Sequence, residues 1–222
     1  MSAPLNRLAE GRAEQLRHIR VLDEREAVTG HWPPWCPPSV VDAWAATGVN
    51  RPWLHQVQAA DAIHAGDHVV LSSGTSSGKS LAFGMAAMAA ILDSPVAGRE
   101  ATVLYIAPTK ALAYDQLRAI RERDVKGIRA AVCDGDSSHD ERAWARRHAN
   151  YLITNPDMLH HSILPGHESW TSFLRRLSLI VVDEAHTYRG VFGAHISAVM
   201  RRLRRICLHY GTDPRVFLAS AT

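Results

Sequence analysis

Two short stretches of this chain carry side chains that could bind and cleave a phosphate chain. The first reads Ser-Gly-Thr-Ser-Ser-Gly-Lys-Ser, and its small residues allow successive backbone N–H groups to close around phosphate oxygens. The Lys79 ammonium could reach the outer phosphates, and the Ser80 hydroxyl could ligate magnesium. The sequence therefore predicts a phosphate-binding loop made of Ser73, Gly74, Thr75, Ser76, Ser77, Gly78, Lys79 and Ser80.

This loop departs in one place from the phosphate-binding pattern Gly-x-x-x-x-Gly-Lys-Ser/Thr. Ser73 stands where the pattern has its first glycine, and Gly74 follows one position later. A serine- and glycine-rich connection with a chance lysine is the alternative interpretation. However, an apolar run precedes the loop and a helix-forming run follows it, so the positive end of a helix would lie at the same point. These flanking segments favour the phosphate site.

The second stretch is a pair of carboxylates, Asp183 and Glu184, that follows the apolar run Leu-Ile-Val-Val. Neighbouring side chains on a strand point to opposite sides, so the two acids should have different tasks. Asp183 could hold magnesium through its water shell, opposite Ser80. Glu184 could orient or deprotonate the water that attacks the γ-phosphate. A solvated turn at a strand end is the alternative, and the phosphate loop earlier in the chain argues against it.

The elements that would position these residues alternate between strands and helices from residue 51 onward. Apolar runs predict strands at 69–71, 101–107, 128–133, 151–154, 177–182 and 216–219, with helical patterns between them. This alternation predicts an α/β fold, a doubly wound parallel sheet with helices on both faces. Polar motifs follow the strands, at the sheet edge where such folds bind ligands: Ser73–Ser80, Pro108–Lys110, Asp134–Asp136, Asn155–Asp157 and Asp183–His186.

The first 50 residues differ from the remainder, and we interpret them as an N-terminal extension to a domain that spans 51–222. Residues 12–20 favour a helix, and residues 19–22 could form a short strand. The proline-rich segment 31–38 cannot be a regular helix, and its Trp32 and Trp35 could anchor it to the domain. A stacking platform for single-stranded nucleic acid is the other possibility. Ser39 is predicted to be the N-cap of a helix that continues to Ala45.

The composition is that of a globular protein, with 222 residues of which 46% are hydrophobic and 21% charged. The net charge of +3 favours an anionic partner only weakly. The three cysteines, Cys36, Cys133 and Cys207, match no zinc or redox spacing, which favours a reducing compartment. No signal peptide or membrane span is evident. We therefore expect a cytoplasmic protein without a membrane partner.

These motifs together resemble the first RecA-like domain of superfamily 2 helicases of the DEAH-box type. The resemblance rests on Gln56, the phosphate loop, Pro-Thr-Lys at 108–110, Thr-Asn-Pro-Asp at 154–157, Asp-Glu-Ala-His at 183–186 and Ser-Ala-Thr at 220–222. The amino-acid sequences of the phosphate loop and of residues 134–136 and 154–160 resemble those of one branch of the family. This branch comprises the bacterial DNA helicases akin to MrfA and SftH, which are related to the fungal Hrq repair helicases. The match covers the chain from about residue 50 to its end.

The resemblance implies ATP and Mg²⁺ as cofactors and a role for each motif. Gln56 would read the adenine edge, and His186 would act with Glu184, Lys79 and Asp183 in catalysis. The phosphodiester backbone of the tracked strand would be contacted by Pro108, Thr109, Lys110, Thr154, Asn155, Pro156 and Asp157. The ATP and DNA sites would be coupled by Ser220, Ala221 and Thr222. The implied partners are single-stranded DNA with a 3′ tail and a second RecA-like domain of the full-length protein. The implied process is DNA repair, and the implied oligomeric state is a monomer.

The sequence also lacks motifs that such a helicase needs. A second RecA-like domain, which supplies an arginine finger, and the branch's cysteine-rich domain are not evident. Trans-acting arginines are worth about 10³–10⁵ in rate, so we expect a fragment that hydrolyses ATP slowly by itself. A nucleic-acid-dependent ATPase switch that remodels complexes without unwinding is the competing hypothesis. A small-molecule kinase is disfavoured by the Asp-Glu-Ala-His motif. The arginines at 201–205 are interpreted as a solvated helix face rather than a nucleic-acid patch.

Overall fold

The structure is a computed structural model that describes residues 28–74, 77–93 and 99–221. Several of the residues singled out above lie outside these ranges. They are the predicted helix at 12–20, the predicted strand at 19–22, Thr75 and Ser76 of the phosphate loop, and Thr222.

The core of the described chain is a six-stranded sheet in which every neighbouring pair of strands is parallel. Its strands lie in the order β1-β6-β5-β2-β4-β3. The predicted α/β class is confirmed. The strands predicted at 151–154 and 177–182 have these bounds, and those predicted at 101–107 and 128–133 are shorter because their apolar runs extend into the adjoining turns. Those predicted at 69–71 and 216–219 are longer, because each continues into polar residues. The strands are β1 Val69–Ser72, β2 Thr102–Ile106, β3 Ala130–Val132, β4 Tyr151–Thr154, β5 Leu177–Val182 and β6 Arg215–Ser220.

Helices fill the connections between the strands. Short 3-10 turns occupy His167–Trp170 and Ala185–Thr187, and a π-helical turn occupies Leu159–Ile163. No helix in the described ranges is long and apolar enough to cross a membrane. The helices are α1 Pro38–Ala45, α2 Leu54–His64, α3 Lys79–Leu92, α4 Lys110–Arg123, α5 His139–His148, α6 Pro156–Met158, α7 Thr171–Leu174 and α8 Gly190–His209.

Strand periodicity divides the sheet into two apolar faces. Val103 and Tyr105 of β2 belong to a core shared with α1 to α4, whereas Leu104 and Ile106 belong to a core shared with α5 to α8. Successive side chains point to opposite faces of a strand, so one buried run serves both layers. The doubly wound arrangement follows directly, and it leaves the strand ends free to carry polar groups.

Residues 28–50 pack against this domain. Val40 is fully buried, and the Trp35 ring stacks on His64 with ring centroids 4.2 Å apart. The Trp35 indole N–H donates to Asp61 at 2.7 Å, and the Trp32 indole N–H donates to the Asn50 carbonyl at 3.0 Å. The tryptophans therefore act as anchors, and one face of the Trp35 ring is covered by His64.

Two predicted helix starts are wrong. Helix α1 begins at Pro38 rather than after a Ser39 cap, because proline fits the first helical position, where no N–H donor is needed. Helix α8 begins at Gly190 rather than Ala194. Glycine has a low helix propensity, so the sequence pattern did not indicate that this first turn is helical. Gly193 is required there, since a Cβ atom would lie 2.5 Å from the Tyr188 carbonyl oxygen.

Candidate functional site

The predicted site residues gather at the carboxyl ends of β1, β2, β4, β5 and β6. The phosphate loop runs from β1 into α3, beside the end of β6. Ser72 is paired with Ser220 in the sheet, and the Ser73 N–H donates to the Ser220 carbonyl at 3.2 Å. The start of the phosphate loop is therefore fixed to the motif that follows β6.

Lys79 is held inside the phosphate loop. Its ammonium donates to the carbonyl oxygens of Ser73 at 2.9 Å and Gly74 at 3.0 Å, and only 9% of the residue is exposed. The hydroxyls of Ser73 and Ser77 lie 2.6 Å apart. Ser80, one residue further along α3, is exposed at the mouth of the loop. The loop is thus closed around a single positive charge, which suits an anionic ligand.

Gln56 supports the phosphate loop from behind. Its side-chain amide donates to the carbonyl oxygens of Gly78 at 2.9 Å and Ser77 at 3.3 Å. Its carbonyl oxygen accepts from the Trp53 N–H at 2.8 Å. Gly78 has φ of 66°, and a Cβ atom there would lie 2.5 Å from the Gln56 amide nitrogen. Only glycine fits, because it adopts the left-handed conformation without steric cost.

A cavity of about 550 Å³ lies next to this contact. Arg51, Trp53 and Gln56 line one part of it, and Gly78 and Ser80 line another. Arg51 and Trp53 were missed in the sequence, where the only signal was an exposed aromatic residue three positions before the glutamine. The cavity therefore has an aromatic wall, an amide and a direct opening to the phosphate loop.

The Asp183 carboxylate is fixed on both oxygens. Its Oδ1 accepts from the Glu184 N–H at 2.9 Å, and its Oδ2 accepts from the Tyr105 hydroxyl. Burial, and then the Asp183 charge, raise the pKa of Tyr105 above its ordinary value, so the phenol keeps its proton and remains a donor. Tyr105 was missed because its place in an apolar strand shows only that it is buried.

Glu184 and His186 connect the acidic pair to β6. Glu184 has φ of 47°, a conformation that non-glycine residues adopt mainly where the surroundings enforce it. The His186 Nδ1 lies 3.2 Å from the Glu184 Oε2 and 3.3 Å from the Ala221 N–H nitrogen. Nδ1 can serve only one of them at a time, as donor to the carboxylate or as acceptor from the amide. The Glu184 Oε2 is shielded and otherwise without a hydrogen bond. His186 can therefore contact either the Glu184 carboxylate or the end of β6, and it places the two within reach of one side chain.

The Pro-Thr-Lys motif lies on the surface at the end of β2. The Thr109 hydroxyl accepts from the Leu112 N–H at 3.3 Å and so caps α4. The Lys110 ammonium forms an exposed ion pair with Asp136, and this hydrogen bond raises the pKa of Lys110. The predicted nucleic-acid cation is therefore paired with a carboxylate of the protein itself.

Asp134 builds the turn that carries Asp136. It is buried, and its Oδ1 accepts from the N–H groups of Asp136 and Ser137 and from the Ser137 hydroxyl, each at 3.0 Å. The Arg142 guanidinium donates to the Asp134 and Gly135 carbonyl oxygens. The turn next to Lys110 is accordingly well defined.

The Thr-Asn-Pro-Asp motif is divided between interior and surface. Thr154 is 1% exposed, and its hydroxyl donates to the Cys133 carbonyl at 2.7 Å. Pro156 is also buried, whereas Asp157 is exposed. The Asn155 side chain caps α6 by accepting from the Met158 N–H at 2.8 Å. Asn155 and Asp157 thus reach the site edge, while the Thr154 side chain supports it from inside.

The donor set near the phosphate loop fits magnesium. Within the described ranges, no group of three or more His, Cys, Asp or Glu side chains converges as a metal cluster. Ser80 and Asp183 instead offer a hydroxyl and a carboxylate oxygen. Mg²⁺ prefers oxygen ligands, keeps several waters and binds through few protein groups plus phosphate oxygens. These two residues satisfy that requirement.

The described geometry is that of a RecA-like helicase domain, and the chain belongs to the DEAD/DEAH box helicase family, whose sequence profile matches residues 53–222. It is 40% identical over 200 residues to ATP-dependent helicase HRQ1 of Saccharomyces cerevisiae, covering 88% of this chain and 18% of that protein. It is also 40% identical over 204 residues to the uncharacterized ATP-dependent helicase YprA of Bacillus subtilis, covering 90% and 27%.

Solved structures of helicases are also similar to this chain. The helicase MrfA bound to DNA and AMPPNP superposes with a TM-score of 0.84 and 38% identity, covering 90% of this chain and 28% of that one. The DEAD-box helicase Mss116 has a TM-score of 0.72 at 18% identity, which shows the fold alone. The predicted family, branch and RecA-like fold are confirmed. The chain spans between about a fifth and just over a quarter of the length of these closer relatives.

Proposed function

We propose that this chain is the ATP-binding part of an ATP-dependent DNA helicase or translocase. The observation that carries the proposal is that the end of β6 contacts both the phosphate loop, through the Ser73 N–H and the Ser220 carbonyl, and the segment of the acidic pair, through the Ala221 N–H and His186. Such contacts can transmit the state of a nucleotide along the edge of the sheet. Membership of a family of ATP-dependent helicases supports it, as does the likeness to MrfA, which was solved with DNA and AMPPNP.

ATP enters with its phosphates in the loop and its base in the adjoining cavity. The Lys79 ammonium exchanges the Ser73 and Gly74 carbonyl oxygens for phosphate oxygens, and backbone N–H groups of the loop bind the phosphates. Thr75 and Ser76, which lie outside the described residues, are proposed from the sequence pattern to belong to this phosphate site. Trp53 can stack on adenine. Gln56 reads the adenine edge by rotating from, or sharing, its contacts with Ser77 and Gly78.

Hydrolysis uses the acidic pair. The Ser80 hydroxyl and, through water, the Asp183 carboxylate would hold Mg²⁺, which when bound would supply positive charge to neutralise the phosphates. Glu184 orients the attacking water or accepts its proton. A second RecA-like domain of the whole protein closes on this surface and supplies an arginine. Because that group is worth about 10³–10⁵ in rate, this chain by itself is expected to turn over slowly.

The nucleic-acid partner is single-stranded DNA, contacted at its phosphodiester backbone. Lys110, Thr109 and Asn155 lie at or near the surface of the same sheet edge, with Pro108, Pro156 and Thr154 as their support and Asp157 beside them. A 3′ tail and a role in DNA repair are proposed from the motifs that resemble the branch of repair helicases. Ser220, Ala221 and Thr222, with His186, couple this contact to ATP.

We further propose that the protein works in the cytoplasm as a monomer. All three cysteines are unpaired and buried. Burial raises the pKa of each thiol to about 11, which keeps the thiols protonated and unreactive. A reducing compartment is consistent with that chemistry.

ATP hydrolysis by the whole protein, with and without single-stranded DNA or RNA, tests the proposal. We expect strong stimulation by DNA, and Glu184→Gln is expected to abolish it while nucleotide binding survives. Glu122→Gln, an equal change at an exposed position of α4, is the control and should keep full activity. Hydrolysis indifferent to both nucleic acids, or unchanged in Glu184→Gln, would contradict the assignment.

A strand-separation assay on a 3′-tailed duplex distinguishes a helicase, which unwinds the duplex, from an ATPase switch that remodels complexes without unwinding. Unwinding that needs ATP supports the helicase. DNA-stimulated hydrolysis without any unwinding would instead support the remodelling switch.

A further inference from the structure

We propose that Tyr105 is a positioning residue that orients the Asp183 carboxylate for the magnesium of bound ATP. The inference rests on the proposed function, because it assigns a support to a metal site that only a nucleotide-binding role requires. Tyr105 lies in β2, outside every motif that carries the family resemblance. Its role follows from two contacts, one through its hydroxyl and one through its ring.

The hydroxyl contact completes the restraint on Asp183. Tyr105 is 2% exposed and donates to Oδ2, while the Glu184 N–H donates to Oδ1 at 2.9 Å. The Asp183 N–H in turn donates to the Ile106 carbonyl at 3.0 Å. With a fixed donor on each oxygen, the plane of the carboxylate is defined, and each oxygen keeps a lone pair for a water of the metal.

The ring contact connects this carboxylate to the helix that carries the other metal ligand. The Tyr105 ring packs against Phe83 of α3 with centroids 5.7 Å apart, and Phe83 packs against Phe217 of β6 at 5.8 Å. Helix α3 begins at Lys79 and carries Ser80 in its first turn. The phenol therefore contacts Asp183 directly and, through Phe83, the helix whose first turn carries Ser80.

Orientation matters more than usual when a carboxylate acts through water. Such a carboxylate recognises a water at one position in the coordination shell, so rotation of its plane displaces the acceptor without removing it. Outer-shell hydrogen-bond partners typically contribute about 10–100-fold to metal affinity or activity. Phe83, the ring packed against the phenol, carries no polar group that could replace its hydroxyl.

Tyr105→Phe removes the hydroxyl and keeps the ring, and Tyr151→Phe is its matched control. Tyr151 lies on the adjacent strand β4, faces the same core and is fully buried, but its hydroxyl accepts from Gln116 at 3.4 Å. The whole protein would be titrated with Mg²⁺ in the presence of a fluorescent ATP analogue. Mn²⁺ bound with the nucleotide would be observed by electron paramagnetic resonance.

We expect Tyr105→Phe to raise the Mg²⁺ concentration for half-maximal nucleotide binding by about tenfold, the lower end of outer-shell effects. Nucleotide binding in EDTA should stay unchanged, and the Mn²⁺ spectrum should change. Tyr151→Phe should match the wild type in each measurement. Equal Mg²⁺ dependence in both variants and the wild type would overturn the inference, as would equal losses in both. If the wild type binds no nucleotide, the proposed function fails first, which is a distinct result.

Discussion

The two halves of the sheet edge are built differently. On the nucleotide side, Lys79, Gln56 and Asp183 each have at least two hydrogen bonds to fixed partners, and Lys79 and Gln56 are nearly inaccessible. On the predicted nucleic-acid side, the Lys110 side chain is 50% exposed, and its partner Asp136 is 72% exposed. The nucleotide side is therefore held by several hydrogen bonds between buried groups. The nucleic-acid side instead has an exposed ammonium group that can exchange its partner.

The difference corresponds to two physical tasks. Cleaving a phosphate anhydride requires donors that are already in place where charge develops, so that no reorganisation is needed during the reaction. Binding the backbone of a moving strand requires contacts that form and break readily and that depend on salt. We therefore expect equal substitutions on the two sides to have unequal effects, and three experiments test this.

The largest difference is expected between Gly78→Ala and Gly135→Ala. Alanine at 78 would adopt a left-handed conformation and place its Cβ 2.5 Å from the Gln56 amide nitrogen, whereas nothing lies within 4 Å of a Cβ at 135. The left-handed conformation alone costs roughly 1–2 kcal/mol. We expect Gly78→Ala to weaken nucleotide binding by more than about tenfold.

Gly135→Ala should leave both nucleotide and DNA affinity within about twofold of the wild type. Fluorescence titration with an ATP analogue and with labelled single-stranded DNA measures both, and circular dichroism checks the folding of each variant. Equal losses in the two variants would remove the contrast between the halves.

A smaller change of opposite sign is expected for Asp136→Asn. The carboxylate competes with DNA phosphate for the Lys110 ammonium, so its neutralisation should raise DNA affinity about two- to fivefold at low salt, the range of exposed ion pairs. Asp140→Asn is the control, since Asp140 is fully exposed and carries the same charge without contacting Lys110. Fluorescence anisotropy at several salt concentrations is the measurement.

The gain in Asp136→Asn should depend on Lys110. In the Lys110→Ala background, Asp136→Asn should give no more than Asp140→Asn does. Lys110→Ala alone should lower the slope of log affinity against log salt by about one. A gain that is the same with and without Lys110 would mean that Asp136 acts only through the overall charge.

The smallest effect on DNA binding is expected for Thr154→Val. The substitution keeps the shape but removes the hydroxyl that donates to the Cys133 carbonyl. The buried carbonyl then loses a partner, and we expect the free energy of unfolding to fall by about 1–3 kcal/mol. DNA affinity should remain unchanged if Thr154 supports the site from inside. Denaturant unfolding and anisotropy measure the two quantities, and a several-fold loss of DNA affinity in the folded variant would instead make the hydroxyl a direct contact.

Much of the site was predictable because its signals are local. The apolar run, the small-residue loop and the helix around Lys79 are contiguous, and the strand before Asp183 ends at the carboxylates. The residues that were missed depend on neighbours distant in sequence. Tyr105, which was missed, contacts Asp183 from the adjacent strand β2. Gln56 was predicted, but its contact with the phosphate loop, made from another helix, was not.

Other features of the site could not be predicted because they depend on which side chains the folded domain buries or brings together. The residue types of Thr-Asn-Pro-Asp do not reveal that Thr154 is buried while Asp157 is exposed, because Thr154 ends a strand that is buried throughout and Asp157 lies in the short helix after it. Likewise, the partner of Lys110 comes from the turn after β3, which only the folded sheet brings near.

The packing of residues 28–50 has a consequence for where the domain is cut in the laboratory. The family profile begins at residue 53, but Val40 and Trp44 lie in the same apolar core as α3, with the Trp44 ring 3.1 Å from where a Cβ of Gly84 would be and under the Arg123 guanidinium. An expression fragment that started at the profile boundary would lose these side chains and uncover the helix behind the phosphate loop. The exposed apolar surface of this helix would promote aggregation. Poor solubility of such a fragment would therefore result from the choice of its first residue and would not be a property of the whole domain.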